Sequence, residues 1–199
     1  GTGFYVKAKF KNKLPIGKTF LLVANHSSYI DPFVMLRVSK NPFVFVGKKE
    51  LVKIPIFGFI YKRAAIMVDR KSSKSRWAVY ERSNKVIKKG LSICIFPEKD
   101  YLDNTKLLNE FKRGAFKLSI DHQIPIVPMA FLDCKRKFPW HTNYGKPGKL
   151  RVETFSTIYP KKKHDKIENL QKTTRQIILN ALKNDPLQKN KEAIDLEHN

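Results

Sequence analysis

The chain is most informative at FLLVANHSSYIDP, residues 20–32, where an apolar run ends in a polar turn and a proline. The apolar run predicts a buried strand, and Pro32 predicts the first turn of a helix. A strand that leads into a helix is the repeating unit of an α/β domain. This unit would carry His26 to the edge of the sheet and leave Asp31 beside it.

His26 and Asp31 are the residue types that general-base catalysis needs. A carboxylate that is hydrogen-bonded to one ring nitrogen fixes the tautomer and stabilises the imidazolium, so the other nitrogen can remove a proton from a hydroxyl. A substrate that brings its own hydroxyl needs no nucleophile from the protein. The alternative interpretation makes Asp31 an N-cap of the helix and His26 an ordinary turn residue.

The rest of the chain alternates short apolar runs with helical patterns, which predicts one α/β domain over residues 1–186. The predicted strands lie near 19–24, 43–46, 65–68, 92–96, 125–130 and 149–155. The predicted helices lie near 32–39, 74–89, 112–121 and 165–184. Residues 187–199 are charged and weakly patterned, and we expect them to form a flexible tail.

The charge balance points to polyanionic partners. Lys and Arg number 40 against 17 Asp and Glu, which leaves a net charge of +23. Such a field favours nucleic acid, anionic lipid headgroups, coenzyme phosphates or an acidic carrier protein. Cys94 and Cys134 lie far apart, which excludes a CxxC pair or a zinc site and indicates reduced packing residues; we expect no metal.

No apolar stretch reaches the roughly 18 residues of a membrane-spanning helix, and the chain shows no signal peptide. Because the chain begins with Gly1 rather than Met, it is compatible with a membrane anchor upstream of residue 1. Residues 52–63 form an apolar run bracketed by cations, which suits a surface that enters a membrane interface. A buried core segment explains the same pattern equally well.

Two charged residues follow predicted strands. Arg70 ends AAIMVDR and could clamp a phosphate, although a salt bridge with Asp69 or Glu81 is the ordinary explanation. Glu98 follows the next strand in FPE, at the sheet edge where α/β proteins bind ligands. Its alternative is a solvated loop carboxylate.

Four motifs occur in one order along residues 25–131: NHSSYIDP, AAIMVDR, FPE and FKRGAFKLSIDHQIPIVPMAF. In these the chain resembles the glycerolipid acyltransferase family, which includes 1-acylglycerol-3-phosphate acyltransferases. The resemblance implies a single domain of the glycerophosphate acyltransferase type, with a mixed sheet flanked by helices. It also implies that a fatty acyl group passes from an acyl-CoA or acyl carrier protein thioester to a lysolipid hydroxyl, with no bound cofactor. His26 would be the base, Asp31 would hold it, and the default acceptor is 1-acylglycerol-3-phosphate.

By the same resemblance Arg70 and Glu98 match positions that bind the acceptor headgroup, and Pro128 matches a proline that shapes the pocket wall. The third motif departs from the family, because Lys99-Asp100-Tyr101 stands where Gly, Thr and often Arg are found. The Arg would fork a phosphate, whereas Lys99 could contact it only as a point charge. A different lysolipid, such as one that contains an amino acid, is therefore the alternative acceptor.

Two non-catalytic functions compete with this one. A basic nucleic-acid-binding domain would explain the charge, but the aromatic residues sit in apolar runs rather than among the Lys and Arg clusters. A membrane adaptor of the same fold would not need the pair of His26 and Asp31. We therefore expect an enzyme on an anionic membrane surface and no nucleic acid. It would lie at the cytoplasmic face, peripheral or anchored by a segment that precedes this chain.

Overall fold

A computed structural model describes residues 3–49, 52, 57–68, 72–98, 106–140, 142, 144–161 and 166–188. Its elements, in chain order, are β1 (Phe4–Phe10), β2 (Leu21–Ala24), α1 (Asp31–Val38), β3 (Phe43–Lys48), α2 (Phe57–Ala64), β4 (Ala65–Val68), α3 (Ser73–Lys88), β5 (Ser92–Ile95), α4 (Gly114–His122), β6 (Ile126–Phe131), α5 (Cys134–Lys137), β7 (Gly148–Thr154) and α6 (Ile167–Lys183). The six predicted strands and four predicted helices are confirmed, with ends that differ by a few residues. Residues 189–199 of the predicted tail lie outside the described residues.

The strands form one mixed sheet in the order β1-β7-β6-β2-β5-β3-β4. The strands β6, β2, β5, β3 and β4 run parallel to one another. Strand β7 is antiparallel to β6, and β1 is parallel to β7. The expected mixed α/β sheet is therefore confirmed, and β2 lies near its centre.

Strand β2 is buried because both faces of the sheet are covered. Leu21 and Val23 point into a core that α4 and α6 share. Leu22 and Ala24 point into a second core on the side of α1. An unbroken apolar run is the pattern of a strand buried on both faces, which explains why β2 was readable from sequence.

Strand β1 was not predicted. Its residues alternate between half-buried and exposed, and it pairs with β7 along its whole length, from Phe4 opposite Gly148 to Phe10 opposite Thr154. Alternation of this kind marks a strand with one solvated face. Helices α2 and α5 were also not predicted as helices, and α5 is a single turn.

The apolar run 52–63 contains most of helix α2, and the described part of it has two kinds of surface. Tyr61 is buried, and a Cβ added to Gly47 of β3 would lie 1.7 Å from its Oη atom. Phe59 is 65% exposed, and the Arg63 guanidinium lies 3.9 Å from the centre of its ring. The buried-segment interpretation therefore describes Tyr61, while Phe59 and Arg63 face solvent. No helix among the described residues is long and apolar enough to cross a membrane.

Candidate active site

The candidate site lies where three neighbouring parallel strands end. Strand β2 lies between β5 and β6, and the carboxyl ends of all three meet at one edge of the sheet. The chain leaves β2 for β3 on one side and later enters β6 on the other. Such a reversal of strand order opens a crevice at the carboxyl edge, where α/β proteins bind their ligands.

Asn25 joins the ends of β2 and β6. Its side-chain oxygen accepts a hydrogen bond from the backbone N–H of Phe131 at 2.7 Å, and its amide nitrogen donates to the carbonyl of Phe131 at 3.1 Å. The side chain is buried, so both of its polar ends are satisfied away from water. The turn after β2 therefore starts from a fixed point. The sequence signal for this role was a polar residue placed directly after a buried strand.

Asp31 holds the turn that carries His26. One of its carboxylate oxygens, Oδ2, lies 3.0 Å from Nδ1 of His26 and accepts the backbone N–H groups of Ser27 at 2.7 Å and Ser28 at 2.8 Å. Asp31 is completely buried and is the first residue of α1. It makes no side-chain cap bond to the helix, and the structure therefore does not support the N-cap alternative.

The imidazole of His26 is fixed by two aromatic rings. Phe96 stacks on it with ring centres 4.3 Å apart, and Trp140 meets it edge-on at 4.9 Å. The hydrogen bond to Asp31 uses Nδ1, which leaves Nε2 to exchange a proton with a substrate. The side chain is 23% exposed, so a substrate can reach it. Sequence reasoning missed both rings, and nothing in the local sequence around Trp140 marks it as a neighbour of His26.

Glu98 is not a solvated loop carboxylate, because it is buried and binds the backbone of His26. Its Oε1 accepts the N–H of His26 at 2.7 Å, and its Oε2 accepts the N–H of Asn109 at 2.9 Å. Only 2% of the residue is exposed. Burial raises the pKa of Glu98 to about 7, although the two backbone hydrogen bonds act to lower it. A carboxyl group that titrates near neutral pH therefore lies directly behind the candidate base.

The remaining predicted substrate-binding residues are placed only in part. Arg70 and Lys99 lie outside the described residues. Pro128 is buried in β6 opposite Val23 of β2, and its carbonyl accepts the N–H of Phe155 at 2.9 Å. Both carboxylate oxygens of Glu98 already accept backbone N–H groups. Contacts of these four residues with a substrate stay predictions.

The thiols of Cys94 and Cys134 and the hydroxyl of Ser28 do not suit a protein nucleophile. Cys94 and Cys134 are buried free thiols, and burial, followed by the charge of Asp31, raises the pKa of each well above its usual value. The Ser28 hydroxyl donates to the carbonyl of Phe138. Among the described residues no three His, Cys, Asp or Glu side chains could hold a metal ion. The chemistry that fits is removal of a proton from a hydroxyl that the substrate supplies.

Several named proteins resemble this chain in sequence. A probable 1-acyl-sn-glycerol-3-phosphate acyltransferase of Mycoplasma pneumoniae is 30% identical over 58% of the chain. The 1-acyl-sn-glycerol-3-phosphate acyltransferases of Cocos nucifera and Escherichia coli K12 are 30% identical over 69% and 34% identical over 55% of the chain, respectively. Each alignment covers 45% of the relative, so the chain spans less than half the length of these proteins.

The fold is also that of a solved acyltransferase. The crystal structure of the 1-acyl-sn-glycerophosphate acyltransferase PlsC from Thermotoga maritima superposes with a TM-score of 0.77. It covers 92% of this chain and 72% of that one at 20% sequence identity. The family described as Acyltransferase matches residues 5–132. Because this match spans more than half of the chain and includes His26, Asp31 and Glu98, the protein belongs to the acyltransferase family.

Proposed function

We propose that the chain transfers a fatty acyl group from an acyl-CoA or acyl carrier protein thioester to the hydroxyl of a lysophospholipid, by default 1-acylglycerol-3-phosphate. The observation that carries the proposal is the pairing of His26 Nδ1 with the buried carboxylate of Asp31 at 3.0 Å. The names of the relatives support the acceptor, since they are called 1-acyl-sn-glycerol-3-phosphate acyltransferases. The product would be phosphatidic acid.

In this reaction His26 Nε2 takes the proton of the acceptor hydroxyl while the oxygen attacks the thioester carbonyl carbon. The carbon–sulfur bond then breaks, and the imidazolium returns the proton to the leaving thiolate. The products are an ester and a free thiol. Asp31 stabilises the imidazolium between these steps, because its carboxylate accepts a hydrogen bond from Nδ1–H at 3.0 Å.

The acceptor headgroup would be bound by residues of the second, third and fourth motifs. Arg70 and Lys99 would bind its phosphate, and Pro128 would shape the pocket wall. The third motif lacks the family's Gly, Thr and Arg at Lys99-Asp100-Tyr101, so the phosphate would meet a point charge instead of a guanidinium fork. A lysolipid with another headgroup is the alternative acceptor.

We place the protein on an anionic membrane surface at the cytoplasmic face. The net charge of +23 supports this placement, because an anionic surface attracts basic proteins. The exposed ring of Phe59 beneath the guanidinium of Arg63 also supports it, since aromatic and cationic side chains favour the lipid interface. Stronger binding to anionic liposomes than to neutral liposomes or DNA would agree with this. Binding to DNA without liposome binding would contradict it.

The decisive test is acyl transfer from palmitoyl-CoA and from palmitoyl carrier protein to a panel of lysolipids. We expect transfer to 1-acylglycerol-3-phosphate, and a loss of at least about 10³-fold in His26→Ala because the base is gone. His122→Ala is the matched control, since His122 packs against Tyr80 on α3 away from the site. Transfer that survives in His26→Ala would contradict the mechanism. Transfer to none of the lysolipids would contradict the function.

A further inference from the structure

Arg175 of helix α6 binds residues 108–109, which belong to the segment whose backbone contacts Glu98. Its Nη2 donates to the carbonyl of Leu108 at 3.0 Å and its Nε to the carbonyl of Asn109 at 3.1 Å. Gln171, one turn earlier, donates to the carbonyl of Phe111 at 2.5 Å. Nη2 of Arg175 also lies 3.1 Å from Glu110, but that carboxylate is mostly exposed. The guanidinium thus binds two neighbouring backbone carbonyls, an arrangement that its planar fork matches.

The peptide unit between Leu108 and Asn109 connects Arg175 to Glu98. Its carbonyl accepts from Arg175, and its N–H donates to Oε2 of Glu98 at 2.9 Å. A trans peptide is planar, with its C=O and N–H pointing in opposite directions, so an anchor on the carbonyl also fixes the direction of the N–H. A cation at the carbonyl further polarises the unit and strengthens its N–H as a donor.

Glu98 passes this constraint to the candidate base. Its other oxygen accepts the backbone N–H of His26 at 2.7 Å, at the turn from which the imidazole projects. Among the described residues, the charged groups that act on Glu98 are Asp31, whose negative charge raises the pKa of this carboxyl, and Arg175, whose positive charge lowers it. Burial raises it more than either, to about 7. Arg175 is thus the one cation among these influences that favours the charged form of Glu98.

We propose that Arg175 is a positioning residue for acyl transfer: through the Leu108–Asn109 peptide unit it keeps Glu98 an ionised acceptor for the backbone N–H of His26. The inference rests on the proposed function for its kinetic effect. In this role Arg175 acts on His26 indirectly, through these hydrogen bonds and through its charge on Glu98. A correctly held His26 backbone keeps the ring aligned with both Asp31 and the acceptor hydroxyl, and small misplacements of a catalytic group slow a reaction strongly.

A merely structural role for Arg175 would be to attach helix α6 to the domain. Arg113 provides the matched control, because it pairs with Glu168 of α6 at 2.9 Å and both side chains are largely exposed. Replacing Arg113 with Met removes an arginine contact to the same helix without touching the backbone on which Glu98 depends.

The test compares Arg175→Met, Arg175→Lys and Arg113→Met by kcat, KM and the dependence of kcat on pH. For Arg175→Met we expect kcat to fall about tenfold or more with KM within about twofold, because alignment rather than binding is lost. The loss of kcat on acidification should also begin at a higher pH than in the wild type. Arg175→Lys keeps the charge and should recover part of the rate. Arg113→Met should match the wild type.

A second readout needs no turnover. The backbone amide signal of Asn109, followed by NMR against pH, should titrate with a midpoint near 7 in the wild type and at a higher pH in Arg175→Met. Glu98→Gln should abolish this titration, which assigns it to Glu98. A wild type without any acyl transfer would overturn the proposed function alone, and the amide titration would still test the link.

The inference is overturned if Arg175→Met retains both the wild-type kcat and the wild-type midpoint, or if Arg113→Met loses as much of both. Thermal unfolding of each variant shows whether it is folded. If Arg175→Met does not fold, the readouts pass to Arg175→Lys, which loses the fork to two carbonyls. Wild-type kcat together with an unchanged Asn109 amide signal in that variant would then overturn the inference.

Discussion

Two regions of the molecule each shield a carboxylate from solvent, and they provide it with different hydrogen-bond partners. In the active-site edge, formed by residues 25–31 and Glu98, the partners of Glu98 are two backbone N–H groups. In the arginine corner, formed by Asp133, Arg136, Arg151 and Asp185, Asp133 accepts bonds from both arginines at 2.6 to 2.9 Å. Exposure is 2% for Glu98 and 1% for Asp133, so neither carboxylate is open to solvent.

The pKa values of the two carboxyls move in opposite directions. Burial raises the pKa of both, and in Glu98 it prevails and brings the value to about 7. In Asp133 the hydrogen bonds from Arg151 and Arg136, together with the charge of Arg151, outweigh burial and hold the pKa below its ordinary value. Asp133 thus has charged donors that favour its ionised form, whereas the hydrogen bonds to Glu98 come from backbone N–H groups and do not outweigh its burial. Buried carboxyls with raised pKa values occur preferentially at functional sites, which agrees with the position of Glu98 behind His26.

The largest effect should come from replacing Asp31 with Asn in the active-site edge. Nδ1 of His26 and two backbone N–H groups all contact Oδ2 of Asp31, and an amide would place there an oxygen without the negative charge. It also favours the wrong tautomer of the imidazole, so we expect kcat to fall about 10⁴-fold. Steady-state kinetics measure this loss, and Asp133→Asn is the comparison. Equal losses in the two variants would show that the two regions do not differ in function.

Glu98→Gln should reveal an unfavourable buried charge. The pKa of Glu98 is about 7 in the folded chain, and its ordinary value, taken for the unfolded chain, is 4.5. The stability that comes from the bound proton is therefore fully present below pH 4.5 and is lost as the pH rises through 7. The free energy of unfolding of the wild type, relative to Glu98→Gln, should therefore fall by about 3 kcal/mol between these pH values. Urea unfolding at several pH values measures the difference. A difference that does not vary with pH would show that Glu98 titrates normally.

Asp133→Asn should have the opposite pH dependence. Because the pKa of Asp133 lies below its ordinary 3.8, its contribution is present above that value and is lost as the pH falls through the folded pKa. At neutral pH the variant should lose about 2 kcal/mol of unfolding free energy, the scale of hydrogen bonds to charged groups, with kcat unchanged. Urea unfolding measures the loss.

The control for Asp133→Asn is Asp121→Asn, whose carboxylate is more exposed and pairs with Lys117 at 2.6 Å. Exposed ion pairs contribute little, so its unfolding free energy should change by less than about 1 kcal/mol. A reduced kcat in Asp133→Asn would mean that the arginine corner supports the site after all.

Local patterns predicted most of the fold. The runs in β2 and β6 are apolar on both faces, and α6 repeats its apolar residues at helical spacing, so each element carries its own signal. Strand β1 escaped prediction because its lysines alternate with residues that are only half-buried against β7. Helix α2 was not predicted, because its apolar residues are equally compatible with a surface that faces a membrane and with a buried core segment.

In the candidate site, too, the contacts with local partners were predicted and those with distant partners were not. His26 and Asp31 could be paired from sequence because they lie within one turn, where the apolar run before them and Pro32 after them set the geometry. The roles of Asn25 and Phe96 could not be predicted from the sequence, because their partners lie far away along the chain. Asn25 binds the backbone of Phe131, and Phe96 stacks on the imidazole of His26. Arg70 and Lys99, predicted from the resemblance, stay predictions.

Local sequence was enough to determine a strand, a turn and a helix that present a histidine and an aspartate together, because apolar spacing and a proline act within a few residues. Only the tertiary structure decided what holds that turn. The N–H of His26 meets a carboxylate 72 residues away, and the segment that supports this carboxylate is bound by an arginine 66 residues further along the chain from Asn109. These contacts depend on the order of β2, β5 and β6 in the sheet and on the packing of α6, which no local pattern encodes.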